Sequence, residues 1–159
     1  MSLTLREFLL ETHQQGYASE REDNKQRMKD GSTTITHISK DREWEMCDNY
    51  FGGNPFGGRK LIIHHYIPIW IMLYYGWVKQ DQDHKEIYEF LRKALLQSPE
   101  GVPLRGPEGF EGDKLRYEAG WNGTIHRFHG REVIYSIPTS LTGQKVYEGH
   151  FSGGLINVR

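Results

Sequence analysis

The chain has 159 residues, 36% of them apolar and 13% aromatic, which is enough for one domain over residues 1–159 with a core built largely on rings. A formal charge of −1 and a pI near 6.7 give no electrostatic reason to expect nucleic acid or an anionic membrane as a partner. The single cysteine, Cys47, cannot form an intramolecular disulfide. We therefore expect a soluble protein of the reducing cytoplasm, with no signal peptide and no apolar run long enough to span a bilayer.

Periodicity and turn residues predict one helix and four strands in the first half of the chain. Apolar residues at helical spacing predict an amphipathic helix over residues 3–14. Residues 20–32 are mostly charged and have no apolar period, so we expect a solvated loop there. Alternation then predicts strands over residues 33–39, 43–51, 59–65 and 67–78. Lys40-Asp41-Arg42 is predicted to turn the chain after the first strand, and Gly52-Gly53-Asn54-Pro55 after the second.

The second half of the chain is predicted to add a helix, a long loop and several strands. Helical spacing favours a helix over residues 84–97, with Asp81 or Asp83 as its N-cap. Its apolar face would carry Ile87, Leu91, Ala94 and Leu95. Residues 98–113 hold three prolines and four glycines, which indicates a long loop. Strands are predicted over residues 114–120, 124–128, 132–137 and 145–151, with a short last strand at 153–156.

Turn signals predict hairpins in the last third, and the order of the elements predicts the fold class. Asn122-Gly123 favours a type I′ hairpin turn, and His129-Gly130-Arg131 is a weaker turn signal. One helix, a run of strands, a second helix and further hairpin strands together indicate an α+β fold. We expect a strongly curved, mainly antiparallel sheet of about seven strands with two helices packed on one face.

The parity of residues in the fourth predicted strand separates two kinds of surface. One face carries an aliphatic row that suits packing under a helix, formed by Ile67, Ile69, Ile71 and Leu73. The other face carries Trp70, Met72 and Tyr74, and the second strand has a comparable row of Trp44, Met46, Asp48 and Tyr50. This aromatic face is either a second core or the wall of a cleft for a small apolar or sugar-like ligand.

Candidate chemical groups lie on the sheet strands and in the proline-rich loop. Asp48, Glu118 and His150 would supply an acid and a base if they converged. Arg105 lies between two prolines, so it could grip a carboxylate or phosphate, or tie the loop to the sheet through Glu118 or Asp48. No nucleophile motif or phosphate-binding loop is present in the sequence.

The eight histidines do not have the spacing of a metal site. His64 and His65 are neighbours, so on a strand they would point to opposite faces, and His126 and His129 would oppose one another for the same reason. We therefore predict neither a metal site nor a cofactor.

Several motifs occur in order along the chain: Tyr50-Phe51-Gly52-Gly53, Phe56-x-Gly58, Pro68-x-Trp70-x-Met72-x-Tyr74-Tyr75-Gly76, Arg105-Gly106-Pro107 and Gly153-Gly154-x-Ile156. Together they resemble a family of small bacterial α+β domains of unknown function, and the resemblance runs from the first helix to the end of the chain. Members of that family stand alone or beside a helix-turn-helix DNA-binding domain, which implies ligand sensing but no established activity.

The chain departs from the pattern of that family in two places. His65-Tyr66-Ile67 replaces a turn that contains glycine, and Ile71 and Leu73 replace a smaller and a more polar residue. These changes make the strand more apolar, and they argue against a polar site on the side of Leu73.

Three hypotheses about function follow from these features. The first is a non-catalytic, sensor-like module that binds a small molecule or peptide in an aromatic cleft. Its candidate ligand-binding residues are Trp44, Asp48, Tyr50, Trp70, Tyr74, Arg105, Glu118 and His150. The second is a small acid–base enzyme, a hydrolase or isomerase, that uses Asp48, Glu118 or His150. The third is an interaction protein that forms a homodimer through a sheet edge or an exposed aromatic patch.

Overall fold

A computed structural model describes residues 3–13, 15, 24–97, 104–137 and 143–157 of the chain. Strands make up 55% of the described residues and helices 16%. The elements are α1 (Leu5–His13), β1 (Lys25–Arg27), β2 (Thr33–Ile38), β3 (Trp44–Gly52), β4 (Phe56–His64), β5 (Ile67–Val78), α2 (His84–Leu95), β6 (Gly109–Glu111), β7 (Leu115–Thr124), β8 (Arg127–Ser136) and β9 (Gln144–Leu155).

All nine strands lie in one antiparallel sheet with the order β1-β2-β3-β4-β5-β9-β8-β7-β6. Two runs of hairpin-connected strands, β1 to β5 and β6 to β9, therefore meet where β5 pairs with β9. The prediction of about seven strands with two helices packed on one face is wrong. Two short edge strands, β1 and β6, lie within the segments that were predicted to be loops, where three-residue strands leave too little alternation to detect.

Turn signals in the last third were also misleading, because glycine serves a different purpose there. Gly123 has a positive φ of 98° but pairs with Phe128 inside the ladder, and the hairpin turns two residues later. Gly130 lies within β8, where an added Cβ would come within 2.4 Å of the Phe151 ring. The predicted turns at Asn122-Gly123 and His129-Gly130-Arg131 are therefore wrong, and β7 and β8 are each one long strand.

The aromatic face of the sheet is its buried face. Trp44 and Asp48 of β3 are buried, and so are Trp70, Met72 and Tyr74 of β5. The aliphatic row faces the other way, with Ile67 54% and Leu73 52% exposed. Its predicted burial under a helix is therefore wrong. Large aromatic side chains bury more apolar surface than aliphatic ones, so burial of the aromatic face contributes more free energy to folding.

Each helix contributes aromatic residues to ring contacts with the strands. The Phe8 ring of α1 lies 5.5 Å from that of Trp44, and the Tyr88 ring of α2 lies edge-on to that of Phe56 at 5.7 Å. Asp83 caps α2 by accepting hydrogen bonds from two backbone N–H groups, and the predicted apolar face of this helix is buried. Within the stretches described above, neither helix has the length and apolarity needed to cross a membrane.

Candidate functional site

A buried carboxylate, Glu132 of β8, accepts hydrogen bonds from three side chains on the inner face of the sheet. Arg105 donates from Nη2 to Oε1 at 2.6 Å and from Nε to Oε2 at 3.3 Å. The hydroxyl of Tyr117 donates to Oε2 at 2.8 Å, and that of Tyr147 donates to Oε1 at 2.7 Å. All four side chains are buried, so hydrogen bonds from protein donors replace those that the carboxylate would accept from water.

These contacts hold Glu132 and Arg105 in their charged forms. Burial acts to raise the pKa of Glu132, but the charge and hydrogen bonds of Arg105 and the two tyrosine hydroxyls bring its pKa below the ordinary value. Burial acts to lower the pKa of Arg105, yet the carboxylate of Glu132 raises it well above its ordinary value. Glu132 and Arg105 therefore form a buried ion pair, in which each charge compensates the other.

Glycines make the space that this carboxylate network occupies. A Cβ on Gly149 would come within 2.5 Å of the Tyr147 hydroxyl and within 2.9 Å of Oε1 of Glu132. A Cβ on Gly106 would come within 2.7 Å of the Tyr117 hydroxyl. Part of the high glycine content of the sequence therefore serves close packing around buried polar groups, in addition to turns.

A second buried carboxylate, Asp48 of β3, has fewer partners. The Tyr74 hydroxyl donates to its Oδ1 at 2.5 Å, and Lys60 lies opposite it in the β3–β4 register. Burial raises the pKa of Asp48, whereas the charge of Lys60 and the hydrogen bond from Tyr74 oppose that rise. Burial likewise lowers the pKa of Lys60 against the influence of Asp48. Burial therefore shifts the pKa values of both groups away from their ordinary values, which is a feature of many functional sites.

A cavity lies beside both networks. The guanidinium carbon of Arg105 is 5.1 Å from the centre of the Tyr74 ring, so Tyr74 links Asp48 to the Arg105–Glu132 pair. Both residues line a cavity of about 160 Å³, and the described residues that line it are Tyr50, Gly52, Gly53, Phe56, Tyr74, Tyr88, Arg92 and Arg105. Four aromatic residues and two arginines therefore line one small space.

A wider groove of about 400 Å³ runs between α2 and strands β6 and β7. Its floor contains Phe90, Phe110 and Leu115, and its rim carries both acidic and basic side chains. None of the predicted ligand-binding residues lines this groove.

One family matches the chain: the profile described as a domain of unknown function (DUF5680) covers residues 48–156, more than half of the sequence. The chain belongs to this family. No functionally curated protein and no solved structure matches it. The match to a domain of unknown function begins at Asp48, whereas the predicted resemblance ran from the first helix onward. The motif pattern and the bacterial and helix-turn-helix settings remain predictions.

Both buried carboxylate networks of this DUF5680 domain lie inside the matched region, whereas α1 and the beginning of β3 lie outside it. Of the predicted binding residues, Tyr50, Tyr74 and Arg105 line the cavity, and Asp48 is bonded to one of its walls. The structure therefore brings four of the eight predicted residues together.

The two predicted tryptophans belong to the core. Trp70 is fully buried and donates from Nε1 to the carbonyl oxygen of Ile125 at 2.7 Å. Trp44 is buried between Phe8 of α1 and the ring of His64, whose centroid lies 4.0 Å away. Neither indole lines the cavity.

The remaining two predicted residues lie on the opposite face of the sheet. Glu118 is exposed and pairs with Arg116 at 2.9 Å. His150 is exposed as well, and it contacts Glu148 at 2.9 Å. Each neighbours an inward-facing aromatic residue along its strand, so alternation directs it outward. The structure does not bring these groups together with Asp48.

Sequence reasoning missed Glu132 and Lys60 and assigned the wrong partners to Arg105, which pairs with Glu132 rather than with Glu118 or Asp48. The alternation of inward and outward residues along the strands could have identified both Glu132 and Lys60. In β8 the residues Phe128, Glu132 and Ile134 are buried together, and a charged residue in such an apolar row requires a buried partner. In β4 Lys60 interrupts the buried row of Phe56 and Ile62 in the same way.

Proposed function

We propose that this domain is a non-catalytic binding module whose cavity takes a small carboxylate with a flat apolar body. The observation that carries the proposal is the presence of two arginines, Arg92 and Arg105, among the aromatic residues that line the cavity. No acidic side chain is among the described residues that line it. A carboxylate matches the planar, forked geometry of a guanidinium, and a flat ring packs well against tyrosine.

The size of the cavity supports a small ligand. A volume of about 160 Å³ is below the range of about 300–1,000 Å³ that is usual for sites of drug-sized ligands. It is close to the roughly 150 Å³ of an engineered apolar cavity that holds benzene. A ligand of about six to ten non-hydrogen atoms, such as benzoate, has the appropriate size and charge.

Fixed neighbours support three of the cavity walls. Glu132 holds Arg105, Asp48 accepts the hydrogen bond of Tyr74, and Oδ1 of Asn54 accepts a 2.7 Å hydrogen bond from the hydroxyl of Tyr88. Among the described residues, Glu132 engages Nε and Nη2 of Arg105, so other N–H donors of its five can meet a ligand oxygen. Walls that are held in place before binding lower the entropic cost of binding.

Calorimetric titration with benzoate tests this function, with Lys93→Met as a control for Arg92→Met on the same helix. We expect Arg92→Met to weaken benzoate binding at least tenfold, since a hydrogen bond to a charged group contributes about 1.5–3 kcal/mol. Lys93 is exposed and does not line this cavity, so Lys93→Met should bind as the wild type does. Absence of benzoate binding, or equal binding by Arg92→Met, would contradict the proposal.

A second candidate function is self-association through the outer face of the sheet. Tyr75 and Trp77 of β5 have the parity opposite to the core rings, and His150 stacks on Trp77 with a centroid distance of 5.9 Å. Phe51 lies across Gly57 from Tyr75 on the same face. Phe51, Tyr75 and His150 are each about half exposed, so their rings form an aromatic surface that a second copy could cover.

Sedimentation at micromolar concentration tests this second candidate. We expect a dimer that Tyr75→Ser weakens, whereas Tyr66→Ser, at a 95% exposed position in the β4–β5 turn, leaves it unchanged. A wild-type protein that sediments as a monomer would rule it out.

A further inference from the structure

The turn between β4 and β5 has an unusual backbone for its sequence. His64 and Ile67 form the last pair of the hairpin, and the two loop residues, His65 and Tyr66, have positive φ angles of 48° and 67°. Two positive φ values in a two-residue loop are typical of a type I′ turn, which prefers Asn-Gly. Left-handed backbone is unfavourable for most other residue types.

This backbone brings two imidazole rings together. Because His65 lies in the turn rather than in the strand, its ring folds back to a centroid distance of 4.2 Å from that of His64. The prediction that these neighbours point to opposite faces is therefore wrong, and the prediction of no metal site rested partly on it. Glu43 completes the group, since one ligand atom from each of Glu43, His64 and His65 lies within 4.8 Å of the other two.

Packing and hydrogen bonds hold these three residues in place. His64 stacks on the buried Trp44 with an interplanar angle of 25°. The backbone N–H of His65 donates to the carbonyl oxygen of Glu43 at 2.9 Å. The backbone N–H of Glu43 donates to Oδ1 of Asp41 at 3.1 Å. Two hairpin ends are thus fixed side by side, which limits the rearrangement that a bound ion would require.

We propose that Glu43, His64 and His65 bind a divalent transition-metal ion of the zinc class. Two imidazole nitrogens and one carboxylate oxygen suit Zn²⁺, Ni²⁺ or Cu²⁺, whereas Mg²⁺ and Ca²⁺ prefer oxygen ligands alone. Donors about 2.0–2.1 Å from a tetrahedral Zn²⁺ lie about 3.4 Å apart, which small rotations of these partly exposed side chains reach. Three protein ligands leave a coordination position open for water or for a donor from another molecule.

Calorimetric titration of the chelator-treated full chain with Zn²⁺ tests this site. We expect one ion per chain, with affinity reduced at least tenfold in both Glu43→Gln and His65→Asn. His126→Ala is the matched control, because His126 is an exposed histidine in the turn between β7 and β8. It should bind Zn²⁺ as the wild type does.

The choice of His65→Asn separates loss of a ligand from loss of the fold. Asparagine tolerates left-handed backbone better than histidine does, so this variant should melt at or above the wild-type temperature. Weakened Zn²⁺ binding by a variant of equal or greater stability supports the site. Absence of saturable Zn²⁺ binding, or unchanged binding by Glu43→Gln and His65→Asn, would overturn it.

Discussion

Two carboxylates are buried on the same face of one sheet, and their surroundings shift their pKa values in opposite directions. Glu132 accepts hydrogen bonds from an arginine and two tyrosines, and the pKa of this carboxyl is lowered despite its burial. Asp48 accepts a hydrogen bond from Tyr74, and burial raises its pKa. Both carboxylates are buried, so the opposite directions of their pKa shifts come from the number and charge of the groups that donate hydrogen bonds to them.

From this difference we infer a supporting role for the Arg105–Glu132 pair and a role for the Asp48–Lys60 pair in which its protonation can change. The Arg105–Glu132 pair is complete within the protein, so a change in protonation there would leave a buried charge unmatched. The pKa values of Asp48 and Lys60 are shifted in the directions that favour the neutral forms. Tyr74, the hydrogen-bond partner of Asp48, lines the cavity. We expect the first pair to hold the site and the second to respond to what enters it.

Removal of the Glu132 charge should have the largest effect. Glu132→Gln leaves the Arg105 guanidinium buried without a counter-charge, and we expect it to lower the free energy of unfolding by about 3–5 kcal/mol in urea denaturation. Glu118→Gln breaks an exposed ion pair and should cost at most about 1 kcal/mol. The double variant Glu132→Gln/Arg105→Met should recover part of the loss, and equal effects of the two single variants would contradict the comparison.

Filling the space beside Glu132 should have the next largest effect. Gly149→Ala places a methyl group against the Tyr147 hydroxyl and the Glu132 carboxylate, and we expect a loss of about 1–3 kcal/mol. Gly120→Ala is its matched control, since a Cβ on this strand glycine meets no atom within 4 Å. If thermal denaturation showed the same melting temperature for both variants, the network would not depend on this close packing.

Removal of the Asp48 charge should be milder than removal of the Glu132 charge. In Asp48→Asn the amide oxygen can still accept from Tyr74, and Lys60 can lose its proton, so we expect a loss of about 1–2 kcal/mol. Adding Lys60→Met removes the amine that is left buried without its carboxylate partner and should restore stability in the same urea assay. A loss as large as that of Glu132→Gln would show that Asp48 is held as tightly as Glu132.

The pH dependence of unfolding should show opposite signs for the two carboxylates. Glu132 has a lowered pKa in the folded state, so its contribution is present above its unfolded pKa of about 4.3 and is lost as the pH falls through the folded value. Asp48 has a raised pKa, so its contribution is present below its unfolded pKa of about 3.9 and is lost as the pH rises through the folded value. We would measure the free energy of unfolding in urea between about pH 3 and pH 6, where carboxyl groups titrate. Compared with the wild type, this free energy should fall less steeply with decreasing pH in Glu132→Gln and more steeply in Asp48→Asn.

Local patterns in the sequence were sufficient for several elements of this fold. The alternation and length of the charge-free run predicted β5 with the observed bounds, Ile67–Val78. Helical spacing predicted α2 with Asp81 or Asp83 as its N-cap, and Asp83 is the residue observed. These features depend on residues close together in the chain, where propensity and periodicity act directly.

Other features depend on partners that are distant in sequence. Parity separated the two faces of β5 but did not show which of them the core would cover, since that depends on rings from β3, β4, β8 and β9. Arg105 was identified as a candidate, yet its partner Glu132 lies 27 residues away and is reached only through the strand order. The contact between His64 and His65 depends on left-handed backbone that their residue types do not favour.

The most direct test of the difference between the two carboxylates is a pH titration of their side-chain ¹³C resonances by NMR. We expect Asp48 to titrate above the ordinary aspartate value and Glu132 to titrate below the ordinary glutamate value, with Asp48→Asn and Glu132→Gln providing the assignments. Ordinary titration of both carboxyls, or the reverse order, would contradict the division into a fixed ion pair and an adjustable one.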